Sequence, residues 1–113
     1  MIKIYHNNRC GKSRQALNFL KESGKDFEII KYLENPPTFE ELEVVLKKLN
    51  HKPIELVRQK EPIWIEKFKG KNLSDKEIIN ALVQNPILIE RPILILDNKA
   101  ILARTPEKLN NFI

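Results

Sequence analysis

The chain has 113 residues, 42% hydrophobic and 31% charged, which is one domain's length and lacks the low hydrophobicity and high charge of a disordered chain. A net charge of +5 favours anionic partners, but the lysines are scattered among acidic residues, and the densest set, Lys67, Lys69 and Lys71, has only Phe68 interleaved. That pattern argues against a stacking surface for direct nucleic-acid binding. The best apolar run, Ile87 to Leu96, is broken by Glu90 and Arg91, short of the roughly 18 apolar residues of a membrane span.

Ile2 and Ile4 alternate with Lys3 and Tyr5, the period-two pattern of a short strand, and a polar turn, His6 to Arg9, follows. From Gly11, Ala16, Leu17 and Leu20 recur at helical spacing up to Gly24, a helix-stopping residue. A second strand is predicted at Phe27 to Tyr32, and two strands joined by a helix most simply make a right-handed parallel crossover. Pro36 and Pro37 halt it. Thr38 with Glu41 is a capping-box pair ahead of Leu42, Val45, Leu46 and Leu49; Ser74 with Glu77 repeats it before Ile78, Ile79, Leu82 and Val83. Between them, Pro53 opens a short helix predicted to run through Arg58, and an irregular helical stretch carries Trp64, Ile65 and Phe68 to Gly70. Asn85 and Pro86 end the last of these helices. A hairpin is predicted from Ile93–Leu96 and Ala100–Ala103 around a turn at 97–99. Thr105 and Pro106 then start a terminal helix with Leu109, Phe112 and Ile113 on its apolar side. The fold class is α/β, in the order β-α-β, helical insertion, β-β-α, with no repeat or low-complexity linker.

Cys10 is the only cysteine, so no internal disulfide can form. His6 and His51 are far apart and neither lies near a second cysteine, so no metal site is expected. The opening residues 1–4 alternate like a strand and lack the apolar stretch of a signal peptide; a cytoplasmic location is expected.

Cys10 lies between the first strand and the first helix, where unpaired backbone N–H groups and the helix dipole favour a thiolate. Arg9, Lys12 and Arg14 are close by in sequence, and the Ser13 hydroxyl is positioned to donate to the sulfur. The alternative is a small buried core cysteine. Cys10-Gly11-Lys12-Ser13 is a C-x-x-S, which keeps the spacing of a redox pair but replaces the resolving thiol by a hydroxyl. An outside thiol is therefore needed to recycle any modified Cys10. Arg58, Arg91 and Arg104 each begin or end an element instead of decorating a helix face, and the hairpin offers to bring Arg91 and Arg104 to one sheet edge, where guanidinium forks suit a tetrahedral oxyanion. Taken singly, each arginine also fits a surface ion pair.

Three segments, Tyr5-His6-Asn7-Asn8-Arg9-Cys10-Gly11-Lys12-Ser13-Arg14, Tyr32-Leu33-Glu34-Asn35-Pro36-Pro37-Thr38 and Asn85-Pro86-Ile87-Leu88-Ile89-Glu90-Arg91-Pro92-Ile93, together resemble the glutaredoxin-dependent arsenate reductase family, which also contains the Spx-type transcription regulators. The resemblance runs nearly end to end. It implies a single thioredoxin-like domain over residues 1–113, with a mixed four-stranded sheet, a helical insertion at about 38–85 and a cis Arg91–Pro92 peptide. It further implies that Cys10 is the nucleophile toward arsenate, with His6 and Ser13 in supporting positions and Arg58, Arg91 and Arg104 as oxyanion binders. Glutathione would be a co-substrate and glutaredoxin a partner, with no bound cofactor. Asn8 departs from the family, which usually has proline there.

Two other functions are carried from the sequence. One is an Spx-like regulator contacting RNA polymerase, although Ser13 removes the second thiol of the usual switch. The other is a thiol-transfer protein acting on glutathione mixed disulfides without arsenate. No membrane partner is expected in any of these, and nothing in the sequence demands more than a monomer.

Overall fold

The computed structural model describes residues Met1 to Ile113, apart from the side chain of Pro106. Pro106 is the first residue of the terminal helix, directly after its N-cap Thr105, as expected. Strands β1 (Ile2–Tyr5), β2 (Phe27–Ile30), β3 (Ile93–Leu96) and β4 (Lys99–Leu102) form one sheet in the order β2-β1-β3-β4. β1 runs parallel to β2, from Ile2 opposite Phe27 to Tyr5 opposite Ile30. β3 is antiparallel both to β1, with Ile4 opposite Leu94, and to β4, with Ile93 opposite Leu102. The helices are α1 (Gly11–Ser23), α2 (Phe39–Leu49), α3 (Pro62–Lys67), α4 (Asp75–Gln84) and α5 (Pro106–Phe112), with 3₁₀ turns at Pro53–Leu56 and Pro86–Leu88. None of these helices is long and apolar enough to cross a membrane.

The chain divides into two compact units, Met1–Asn35 with Arg91–Ile113, and Pro36–Glu90. In the sheet unit, Ile2, Ile4 and Leu94 from the central strands are buried with Ala16 and Leu20 of α1, Ala103, and Leu109 of α5. Gly24 ends α1 at φ 73°, a left-handed conformation that glycine adopts without the clash a Cβ would bring. Tyr5 is buried, not turned outward as strict alternation predicts, and its ring stacks on Tyr32 at 6.4 Å. Thr105 caps α5 by accepting from the Lys108 N–H. Leu94 has no exposed surface in the middle of the sheet. Leu94→Ala should lower the unfolding free energy by about 2–5 kcal/mol, the range for emptying a buried leucine site, measurable as a lower urea midpoint.

In the helical unit both predicted capping boxes form. Thr38 and Glu41 close the start of α2, and Ser74 and Glu77 close that of α4. Leu42, Val45, Leu46 and Leu49 on α2 and Ile78, Ile79, Ala81 and Leu82 on α4 are buried, and the two helices pack together.

Three predicted boundaries move. β2 stops at Ile30 because the Lys31 carbonyl accepts the N–H groups of Glu34 and Asn35, turning the chain. The turn from Pro53 ends at Leu56, not Arg58, because Val57 bridges to Ile89 while the Arg58 N–H donates to the Leu88 carbonyl and the Glu90 N–H to Leu56. Lys99 pairs with Leu96 inside the hairpin, leaving Asp97 and Asn98 as the turn, with Asp97 at φ 55°.

Candidate active site

The end of β1 delivers the chain into the loop 6–10, and the His6 N–H still bonds the Ile30 carbonyl at 2.9 Å, continuing the parallel ladder. The Asn7 carbonyl accepts the Cys10 N–H at 3.0 Å, while the Asn7 side-chain Oδ1 accepts the Arg9 N–H at 3.0 Å. That local Asx turn delivers Cys10 to the N-cap of α1 in an extended conformation, with no side-chain cap bond of its own. The first turn of α1 holds no acidic residue, so the positive end of the helix is left for the sulfur.

Burial of the sulfur works to raise the Cys10 pKa. The Ser13 backbone N–H, the Arg91 charge, the Lys12 backbone N–H and a hydrogen bond from the Arg91 side chain overcome it, and the thiol lies below its ordinary value. The sequence points first to backbone N–H groups at the helix start, and those of Ser13 and Lys12 act as expected; the structure differs on the two additions, the Ser13 hydroxyl and the cations neighbouring in sequence. The Ser13 hydroxyl is fully buried and engaged elsewhere, 2.6 Å from His6 Nδ1 and accepting the Asn7 N–H at 3.0 Å; it is the main-chain N–H of Ser13 that serves the sulfur. Arg14 donates through Nη1 to the Asn8 carbonyl at 2.8 Å, and the arginine acting on Cys10 is Arg91.

Arg91 and Arg104 lie just beyond the same end of the hairpin, where Ile93 faces Leu102 and the Ala103 N–H donates to the Pro92 carbonyl at 2.9 Å. Because Ile93 also faces Tyr5, the Cys10 loop leaves β1 at that end too. The Arg91–Pro92 peptide is cis, as the resemblance implies. Arg91 Nε is buried with no hydrogen-bond partner among the described residues, which leaves a guanidinium donor for an incoming acceptor. Arg58 belongs to the helical unit, paired with Glu61 and, at 3.7 Å, with Glu90. Among the described residues no three His, Cys, Asp or Glu side chains gather as a metal site.

Residues 5–112 match the model of the ArsC family. The chain belongs to the ArsC family. Among its relatives, the uncharacterized protein YfgD of Escherichia coli (strain K12) is 44% identical, covering 96% of this chain and 92% of its own. An arsenate reductase of Neisseria meningitidis serogroup A is 37% identical, covering 96% and 94%. The solved structure of an arsenate reductase from Vibrio cholerae has a TM-score of 0.94 at 36% identity, covering 99% of this chain and 97% of that one. The architecture is thus the α/β, thioredoxin-like fold of ArsC proteins, with its mixed four-stranded sheet.

Sequence reasoning about this ArsC-family chain passed over Asn7, whose carbonyl, side chain and N–H hold the loop together. The Asn-x-Arg spacing of an Asx turn was the available signal. His6, by contrast, was picked out and is buried. Burial is the main cause of its lowered pKa; Lys31 and Lys21 lower it further, while the Asn8 side chain and Ser13 raise it. The neutral ring is the form the folded loop prefers. Between that lowered value and the ordinary 6.5 of the unfolded chain the unfolded state holds more protons, so stability rises with pH there and is fully present above 6.5. Unfolding of the wild type by urea from pH 5 to 7.5 should show this slope, at most about 1.4 kcal/mol per pH unit for one proton. His6→Asn should flatten it; an unchanged slope in that variant would assign it to another group.

Proposed function

We propose that this chain reduces arsenate to arsenite with Cys10 as the nucleophile, glutathione as co-substrate and glutaredoxin as the recycling partner. The observation that carries this reading is the placement of Cys10, an acidified thiol at the N-cap of α1 with Arg91 beside it. The relatives named arsenate reductase support the choice of oxyanion.

In the proposed reaction the Cys10 thiolate attacks arsenic(V), a sulfur–arsenic bond forms and an arsenate oxygen leaves as water. Arg91 and Arg104 hold the oxyanion by forked, charge-assisted hydrogen bonds. Arg58 is retained as a third oxyanion binder on the family resemblance alone. His6 and Ser13 position the loop, Ser13 by aiming its N–H and His6 by fixing the Ser13 hydroxyl. Glutathione then forms a sulfur–sulfur bond with Cys10 while the sulfur–arsenic bond breaks and leaves its electron pair on arsenic, now arsenic(III). A dithiol of the glutaredoxin class removes glutathione from the mixed disulfide and restores Cys10. A cycle that consumes reduced thiols belongs in a reducing compartment, and we accordingly place the protein in the cytoplasm.

The test is arsenite formation from arsenate with glutathione, glutaredoxin and an NADPH-linked recycling system. Turnover that falls away when glutaredoxin is left out supports the complete cycle. No arsenite under any of these conditions would overturn the reading.

A further inference from the structure

The backbone of the helical unit fixes where the Arg58 side chain stands. Val57 bridges to Ile89, the Arg58 N–H donates to the Leu88 carbonyl at 2.7 Å, and the Glu90 N–H donates to the Leu56 carbonyl at 2.8 Å. That short antiparallel pairing holds Arg58 near Glu90. The Glu61 N–H donates back to the Arg58 carbonyl at 3.1 Å as the chain enters α3, and its side chain meets the same guanidinium. Glu61 Oε1 pairs with Arg58 Nη1, while Glu90 Oε1 lies 3.7 Å from Arg58 Nε. The side chain of Arg58 is 27% exposed and those of Glu61 and Glu90 are 21% and 20%. A small anion can reach such a group, and charges sheltered to that degree are screened less than on open surface.

A guanidinium offers a tetrahedral oxyanion two forked edges, Nε with Nη2 and Nη1 with Nη2. Glu90 stands at the first edge of Arg58 and Glu61 at the second. An oxyanion on either edge therefore lies against a carboxylate. An ionised carboxylate only accepts hydrogen bonds, so the protonation of the incoming anion decides whether it is attracted or repelled. Arsenate and phosphate keep at least one proton near neutral pH, and their hydroxyl groups can donate to the carboxylate. Sulfate is fully deprotonated there, offers no donor, and sets like charges side by side. We propose that Glu61 and Glu90 make Arg58 selective for tetrahedral oxyanions that carry a proton, admitting arsenate or phosphate and rejecting sulfate. Shape cannot make this distinction, because all three anions are tetrahedral. The selectivity rests on Arg58 binding the oxyanion of the proposed cycle.

Inorganic phosphate and sulfate are the probes, each titrated into the full-length wild type near pH 7 at constant ionic strength. The Arg58 side-chain Nε–H signal in NMR reads binding at the guanidinium itself, with no turnover needed. Phosphate should bind at least roughly tenfold more tightly than sulfate, the effect of about one charge-assisted hydrogen bond. Glu61→Gln with Glu90→Gln keeps the shape of both side chains, removes their charge and supplies donors. In that variant sulfate should gain about tenfold while phosphate moves by less than about threefold, and each single glutamine variant should fall between. Equal affinity for the two anions in the wild type, or a preference that survives both glutamines, would overturn the selectivity. Equal weakening of both anions in the double variant would overturn it too, because the carboxylates would then hold Arg58 in place without sorting. An Arg58 signal that neither anion moves does the same and also takes Arg58 out of the oxyanion site. The two readings fail separately. A protein that makes no arsenite yet prefers phosphate at Arg58 loses the reduction and keeps the selectivity, whereas arsenite formation inhibited equally by phosphate and sulfate keeps the reduction and loses the selectivity.

Discussion

Cys10→Ser makes no arsenite above background, a loss of at least about 10³-fold, and unfolds at an equal or slightly higher temperature. The two halves of that result have one structural cause. Cys10 occupies the N-cap of α1 without forming a cap bond, and the N–H groups of Lys12 and Ser13 that ordinarily meet a cap side chain are the ones acting on the sulfur. A serine hydroxyl at that position is among the better N-caps and would accept from the same N–H groups, worth up to about 1 kcal/mol and a few degrees in Tm. It is not ionised near neutrality and has no base to activate it, so nucleophilic attack on arsenic stops. Arsenite assays and thermal melts on one preparation read both effects. Residual turnover dependent on glutaredoxin would sink Cys10 as the nucleophile, and a large fall in Tm would mean that the thiol, not the backbone, organises the loop.

Replacing Arg91 has the second largest effect. Arg91 acts on Cys10 through its charge and through a hydrogen bond, and its buried Nε has no hydrogen-bond partner among the described residues. Arg91→Ala removes all three contributions. The thiol pKa should rise, and kcat/KM for arsenate should fall by about 10²–10³-fold, the usual consequence of deleting a donor aimed at an oxyanion. Arg91→Lys keeps a point charge but loses the planar fork, so the thiol should remain more acidic than in the alanine variant while kcat/KM still drops roughly tenfold. Iodoacetamide alkylation across pH reports the thiol, and initial rates report the oxyanion. If alanine and lysine leave the alkylation profile where the wild type has it, Arg91 is not what acidifies Cys10.

How far the sequence could be read depended on how local each signal was. The start of β1, the Gly24 stop and the caps at Thr38, Ser74 and Thr105 are encoded within a few residues and were legible. Val57 was misread as helical because its bridge partner, Ile89, lies far along the chain, and no period in the sequence reports such a pairing. Cys10 was legible as a candidate nucleophile from its strand-to-helix position. The direction of the Ser13 hydroxyl was not, because it is settled by a tertiary contact with His6 and Asn7. Glu61 sits at helical spacing from Arg58 and offered a hint of that ion pair, but Glu90 offered none. The cis peptide before Pro92 came from family resemblance and not from composition or spacing.

The order of the strands also determines when in folding the thiol becomes reactive. Arg91 stands directly ahead of β3, about 80 residues downstream of Cys10, and β3 must insert between β1 and β4 to complete the sheet. Contacts at such separation form slowly compared with a single helix turn. Until β3 docks, Cys10 therefore has only the N–H groups at the start of α1 and lacks the Arg91 part of its acidification, which is completed when the sheet closes. Most buried cysteines react faster when a protein unfolds, and this one is expected to react more slowly near neutral pH, so a brief alkylation pulse during refolding would time the arrival of β3.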